Sequence, residues 1–453
     1  MTAGLSLLAG VLAHHDDRTV GARAHALVEQ LYPICRSITG NGMRESLRLL
    51  QQAVALETVE VPTGTKVFDW TVPNEWNIRD AYIKDSDGVR RVDFQRHTLH
   101  VLNYSEPVRA TMTLAELRPH LFTLPEAPDL IPYRTSYYRR AWGFCLSQRQ
   151  LDAMADGEYE VCIDSTLAPG SLTYGEYRIQ GDTDDEVLIS THACHPSLCN
   201  DNLSGMTVAC ELARALARLS LRYSYRFVWI PGTIGAITWL AGHEDVLQRI
   251  RHGLVLSCLG DAGPFTYKRS RRGTAEIDRA AAHVLRAGGD GQVRDFVPYG
   301  YDERQYCSPG INLPVGCFMR TPHGEYPQYH TSADDLSLVT PDALGESVRR
   351  LLEVVQVLEE NGTFVNLEPK GEPQLGRRGL YGQVGGRTDP GASEMALLWV
   401  LNYSDGACDL LDIAGRSGLA FGEVSAAARA LGSAGLLERT GPKDVRRDAR
   451  SHP

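Results

Sequence analysis

One stretch limits what this chain can become more than any other. Residues 186–219 read EVLISTHACHPSLCNDNLSGMTVACELARALARL. Glu186 to Thr191 is a short apolar, β-branched run that suits a buried strand. Leu203 to Leu219 places Leu203, Met206, Cys210, Ala213, Leu216 and Ala217 at helical spacing. Asn200, Asp201 and Asn202 stand where that helix would be capped. Between strand and helix lie His192, Cys194, His195, Cys199 and Asp201, five side chains of metal-ligating type within ten residues. The carboxyl end of a strand in an open α/β sheet is where such sheets hold their sites. Imidazole together with carboxylate suits zinc or a similar ion. The same residues also fit a plainer reading, with solvent-facing histidines in a loop and Asp201 as a helix cap only.

The motif Asp201 to Gly205, DNLSG, resembles the first metal motif of the zinc exopeptidases, the family of bacterial leucyl aminopeptidases, glutamate carboxypeptidase and glutaminyl cyclase. In that family a strand ends in a histidine, and the motif's aspartate bridges two zinc ions. The resemblance is closer still to a bacterial aminopeptidase-like subgroup that carries CHPS ahead of NDNLSG, as Cys194 to Ser197 does here. A second motif, Tyr329-His330-Thr331-Ser332-Ala333-Asp334-Asp335, is similar to the one that supplies the family's distal metal ligand. A third match is Tyr301-Asp302-Glu303 followed by Gly310-Ile311-Asn312-Leu313-Pro314.

The resemblance implies a divalent ion, most simply zinc as one or two ions, held by Asp201, His330 and a histidine of the first motif. His195 belongs to the shared CHPS, while His192 has the classical place at the strand end. Asp261, after a later strand, is a further carboxylate candidate. Asp302 and Tyr329 are placed beside the substrate. Arg271 lies in the basic run Lys268-Arg269-Ser270-Arg271-Arg272, which reads as a solvated face or as a contact for an anionic substrate group.

One departure bears on catalysis. Aminopeptidases of this class use a carboxylate to take a proton from the attacking water. The subgroup has it in Pro-Glu-Thr-Ile-Gly, where this chain has Pro231-Gly232-Thr233-Ile234-Gly235. If His192 is the family's strand-end histidine, Cys194 replaces the catalytic aspartate two residues on. Three explanations compete: loss of hydrolysis in a ligand-binding or regulatory relative, an engineered change, or another base, for which Glu303 and Glu325 are the candidates. The leading expectation is a metal-dependent hydrolase of aminopeptidase type acting on a small amide or peptide.

The rest of the chain fits an α/β core. Strand-like runs at 225–231, 253–259 and 313–319 alternate with helical patterns at 237–252, 275–285 and 342–360. The expected fold is a zinc-exopeptidase-like three-layer domain with a mixed sheet, formed by residues 1–58 and 160–365. Short strand-like bursts between Pro, Gly, Asn and Asp mark 59–159 as an all-β, jelly-roll-like insert. Its segment Leu130 to Phe144, rich in Tyr, Arg and Trp, suits either a substrate lid or packing between domains. Residues 366–392 read as a Gly, Pro and Arg-rich linker, and 393–453 as a winged-helix-like unit with a charged tail.

A net charge of −10 argues against general binding to nucleic acid or anionic membranes. The presumptive recognition helix, Phe421 to Leu431, carries Glu423 and a single basic residue, Arg429, too little for phosphate neutralisation. No apolar run reaches the length of a membrane span. Ten cysteines without a CxxC pair suit a reducing, cytoplasmic setting. The expected partners are a small amide or peptide substrate, with a homo-oligomer left open.

Overall fold

The computed structural model describes residues 2–289, 291–380 and 392–440. Its core is an eight-stranded mixed sheet. From edge to edge the strands are Glu57–Pro62, Ser171–Ile179, Ser224–Ile230, Glu186–His192, Ile250–Leu256, Val315–Met319, Phe265–Lys268 and Gly291–Arg294. Glu186–His192 lies between two parallel neighbours, and Ile250–Leu256 continues in parallel to Val315–Met319. Strands covered on both faces read as continuous apolar runs, and every residue of Glu186–His192 and of Ser224–Ile230 is buried.

Alternation along these strands builds two cores. Val187, Ile189, Phe227 and Trp229 face one, with the helices Asp17–Leu31, Gly205–Leu216, Glu276–Gly288 and Pro341–Glu360. Leu188, Val228 and Ile230 face the other, with the helix Ile234–Gly242 and side chains of the insert such as Trp76 and Phe144. The pattern at 237–252 resolves differently from a single helix. The helix ends at Gly242, and Ile250–Leu256 is a strand buried except at Arg251. Val246, Leu247 and Ile250 imitate helical spacing, but a buried strand is apolar at every position and carries no period to contradict it.

The insert contains a four-stranded antiparallel sheet in the order Arg90–Asp93, Glu75–Lys84, Glu158–Ala168, Val108–Thr113, with two two-stranded ribbons. Pairing corrects its boundaries. Glu57–Pro62 hydrogen-bonds to Ser171–Ile179 in the main sheet, and Glu158–Ala168 pairs within the insert, so the insert runs from after Pro62 to before Ser171.

The C-terminal unit comprises the helices Ala392–Tyr403, Leu410–Ser417 and Phe421–Ser433 and a three-stranded sheet. That sheet centres on Thr363–Asn366, between Asp405–Asp409 and Leu437–Arg439. The unit thus begins just after the helix Pro341–Glu360, earlier than residue 393. The stretch 381–391 of the expected linker and the tail 441–453 lie outside the described residues.

The unit is seated on the large domain. Arg279 forms a two-pronged pair with Asp409, at 2.9 and 2.8 Å. Arg429 Nη1 lies 2.7 Å from Oε2 of the buried Glu360, which also accepts from Ser425. The one basic residue of the presumptive recognition helix is therefore engaged inside the molecule. Among the described residues no helix is long and apolar enough to cross a membrane, and all ten cysteines are unpaired.

Candidate metal centre

The strand Glu186–His192 delivers His192 to the carboxyl edge of the sheet, where the following loop folds back over it. Two clamps fix that loop. Asp334 accepts from the backbone N–H of Asn200 at 2.5 Å and of Asp201 at 3.0 Å. The Asn202 amide donates to Thr191 Oγ1 and to the carbonyl of His192, while its oxygen accepts from Cys258 N. From behind, the buried Arg36 donates through Nε to the His195 carbonyl at 3.0 Å.

The result is a carboxylate surrounded by imidazoles. His192 Nε2 lies 2.8 Å from Asp201 Oδ1, and His330 Nε2 lies 2.9 Å from Oδ2. His195 Nδ1 is 3.2 Å from Oδ2. Ligand atoms of His192, His195 and Asp201 lie within 4.8 Å of one another. Tyr301 donates its hydroxyl to Asp201 Oδ1 at 2.8 Å and stacks on His192, with centroids 4.4 Å apart. Tyr329 stacks on His330 at 3.9 Å.

Electrostatics match this geometry. Burial pushes His192 down to about 4 against the pull of Asp201, and burial also lowers His330. His195 goes the other way: burial opposes its charge, but Asp201 and Cys194 outweigh burial and carry it well above the usual histidine range. Asp201 sits well below the carboxylate range, because the three histidines together outweigh the cost of burying it. A metal ligand must be an ionised carboxylate or a neutral imidazole; the directions at Asp201, His192 and His330 run that way, while an ion bound here would have to displace the proton that Asp201 draws to His195. Nitrogen and oxygen donors converging on one point fit a borderline divalent ion.

The structure brings together His192, His195, Asp201, His330 and Tyr329. It puts Asp261, Arg271, Glu325 and Glu303 elsewhere, and sets Asp302 beside the cluster. Both oxygens of Asp261 are taken up by Asn200, Gly263 and Thr321. It caps a turn and supports the loop through Asn200, and the cluster of ligand atoms does not include it. Arg271 is exposed and reaches Asn312. Glu325 is half exposed and paired with Arg294. Glu303 is fully buried and paired with Lys268, whose Nζ also donates to the Tyr299 carbonyl. Asp302 is buried beside Gly232: a Cβ on Gly232 would lie 3.8 Å from Asp302 Oδ1 and 3.2 Å from His192 Cβ.

The insert reaches into the centre. Tyr133 N–H donates to the His330 carbonyl at 2.8 Å, and Ile131 and Ser332 exchange two hydrogen bonds. The Tyr133 ring lies 5.0 Å from both His195 and His330. The segment at 130–144 thus joins the two domains and, through Tyr133, lies against the His195 and His330 rings. Tyr133 and the hydroxyl of Tyr301 had no sequence signal of their own, because a tyrosine contact made across domains has no spacing.

Known proteins resemble this chain over most of its length. A family model described as a domain of unknown function, DUF4910, matches residues 25–361, and a winged helix-turn-helix model matches 362–439. A Clostridium acetobutylicum protein named "Putative polysaccharide biosynthesis protein with aminopeptidase-like domain" is 52% identical over 419 residues, covering 92% of this chain and 96% of that protein. The crystal structure of a putative peptidase from Clostridium acetobutylicum superposes with a TM-score of 0.91 at 49% identity, over 96% of this chain and all of the other. BSAP, a zinc aminopeptidase from Bacillus subtilis, shares the fold at a TM-score of 0.55 and 13% identity, over 74% of this chain and 94% of that one.

Proposed function

Because the chain belongs to the DUF4910 family and has the aminopeptidase fold, carrying a winged helix at its C-terminus, we propose that it is a metal-dependent hydrolase of aminopeptidase type. Its substrate is a small amide or peptide. The observation that carries this reading is the convergence of His192, His195 and His330 on the two oxygens of Asp201. Those four side chains would hold zinc, which supplies Lewis-acid polarisation of a substrate carbonyl. The protein's own groups do the rest. Tyr301 and Asp334 hold the carboxylate and its loop in place. Tyr133 lies against the His195 and His330 rings and narrows the approach to them, which favours small substrates over folded proteins. The name of the Clostridium acetobutylicum relative suggests that such a substrate belongs to polysaccharide assembly.

A panel of aminoacyl amides and short peptides, offered to the full chain with added zinc, tests the proposal. Hydrolysis of at least one, abolished by a chelator and restored by zinc, is the expected result. Zinc binding with no hydrolysis would favour the second reading, a ligand-binding relative, which Gly232 supports by offering no side chain where the subgroup has glutamate.

We also propose that the winged helix serves assembly and not DNA reading. Phe421, Val424, Ala427, Ala428 and Leu431 are buried, and Arg429 is held by Glu360. Base readout needs exposed Arg, Lys, Asn or Gln on that helix. A gel-shift titration at low salt should show no sequence-dependent binding, and tight sequence-dependent retardation would refute this.

A further inference from the structure

Three carboxylates compete to replace the one missing at position 232, and the structure separates them. Glu325 is tied to Arg294 at the surface. Glu303 is engaged in an ion pair with the buried Lys268. Asp302 remains. Only 1% of it is exposed, and its Oδ2 has no hydrogen-bond partner. Buried polar atoms are almost always paired, so an orphaned carboxylate oxygen beside Gly232 asks for an explanation. Its Oδ1 faces the space over Gly232, 3.8 Å from where a Cβ would be, and that point is 3.2 Å from His192 Cβ.

We propose that Asp302 is the proton acceptor of this site, working through the space that Gly232 leaves open. The inference rests on the hydrolase reading above. In amide hydrolysis the water oxygen bonds to the carbonyl carbon while Asp302 takes the water proton. The C–N bond then breaks, and the Asp302 carboxyl returns the proton to the leaving nitrogen. Electrons and atoms balance with water as the only co-reactant.

Burial, reinforced by the neighbouring Glu303, pushes Asp302 up to about 7, against the opposing pull of Arg304 and His195. Tyr138 and Tyr306 also lie within its field. General-base catalysis works best with such a value near the operating pH. It also has a stability signature. A carboxyl whose value is raised on folding binds more protons in the native state, so stability is lost as pH rises from about 4 to 7. Above that window the native chain bears the full cost of the buried charge.

The test is Asp302→Asn in the full chain loaded with zinc. The expected result is a fall in kcat of about 100- to 10,000-fold, zinc content unchanged, and a Tm at pH 8 equal to or above that of the native chain. A structural role predicts the opposite stability change. Gly232→Glu, added to Asp302→Asn, should recover at least about tenfold of the loss, because its carboxylate enters the same space. An active native chain whose Asp302→Asn variant keeps its rate overturns this proposal and leaves the hydrolase reading intact. A native chain that holds zinc, is inert, and becomes active with Gly232→Glu alone overturns this proposal and favours the ligand-binding reading. A native chain that neither holds zinc nor hydrolyses any member of the panel overturns both.

Discussion

Glu186→Ala is expected to destabilise the protein by about 3 kcal/mol, read from urea unfolding. Glu186 opens the strand that ends in His192 and is fully buried. Its Oε2 accepts from Arg226 Nε at 2.6 Å, and its Oε1 accepts from Arg226 Nη2 and Arg178 Nε, each at 2.9 Å. Arg226 is itself only 7% exposed. Breaking a buried pair from one side leaves a desolvated charge, which typically costs about 3–5 kcal/mol. The lower end applies because Glu176 still faces Arg226. Replacing both partners removes the stranded charge, so Glu186→Leu with Arg226→Leu should lose less than Glu186→Leu alone. A double variant worse than the single would refute this view of the network. The pH dependence has a definite sign. Burial acts to raise the Glu186 carboxyl, but Arg226 and Arg178 hold it below the usual carboxylate range. Its contribution is present above about pH 4.5 and fades as the pH falls below. Glu186→Gln should flatten that acid limb.

Asp201→Ala should have the largest effect on activity. Asp201 is the shared partner of three imidazoles and of the Tyr301 hydroxyl. Outer-shell partners of a metal centre typically tune affinity by about 10- to 100-fold, so removing the group on which the ligands converge should exceed about 100-fold in zinc affinity. Hydrolysis of any substrate accepted by the native chain should fall in step. The loop should persist in the variant, since Asp334 holds the backbone N–H of residues 200 and 201 and not the Asp201 side chain. A variant that keeps its rate and its zinc would place the reacting centre elsewhere.

Much of this organisation was legible in the sequence, for identifiable reasons. The central strand and the helix after it announce themselves through local patterning, and DNLSG and YHTSADD mark the two halves of the centre although more than a hundred residues separate them. The winged-helix unit was legible because Gly418 follows one helix and Gly435 follows the next, both at positive φ. The edges of the insert were not. Glu158–Ala168 and Glu57–Pro62 are both plausible strands, and only their pairing says which sheet each joins. Thr363–Asn366 joins the C-terminal unit only through its pairing with Asp405–Asp409 and Leu437–Arg439, which no local pattern announces. The strand Phe265–Lys268, one in from the sheet's edge, hid behind a basic run, since Lys268 is buried and paired with Glu303 and is not part of a solvated face. The choice between His192 and His195 could not be made from spacing, and the structure explains why: both reach Asp201, one from the strand end and one from the loop.

The claim that these residues form a zinc centre is tested most directly by metal analysis. The native full chain and His330→Ala are purified in parallel, saturated with zinc, passed through gel filtration and measured for bound metal. The native chain should retain about one zinc per chain, and His330→Ala should retain far less. Equal zinc in the two proteins, or none in the native chain after saturation, would contradict the account.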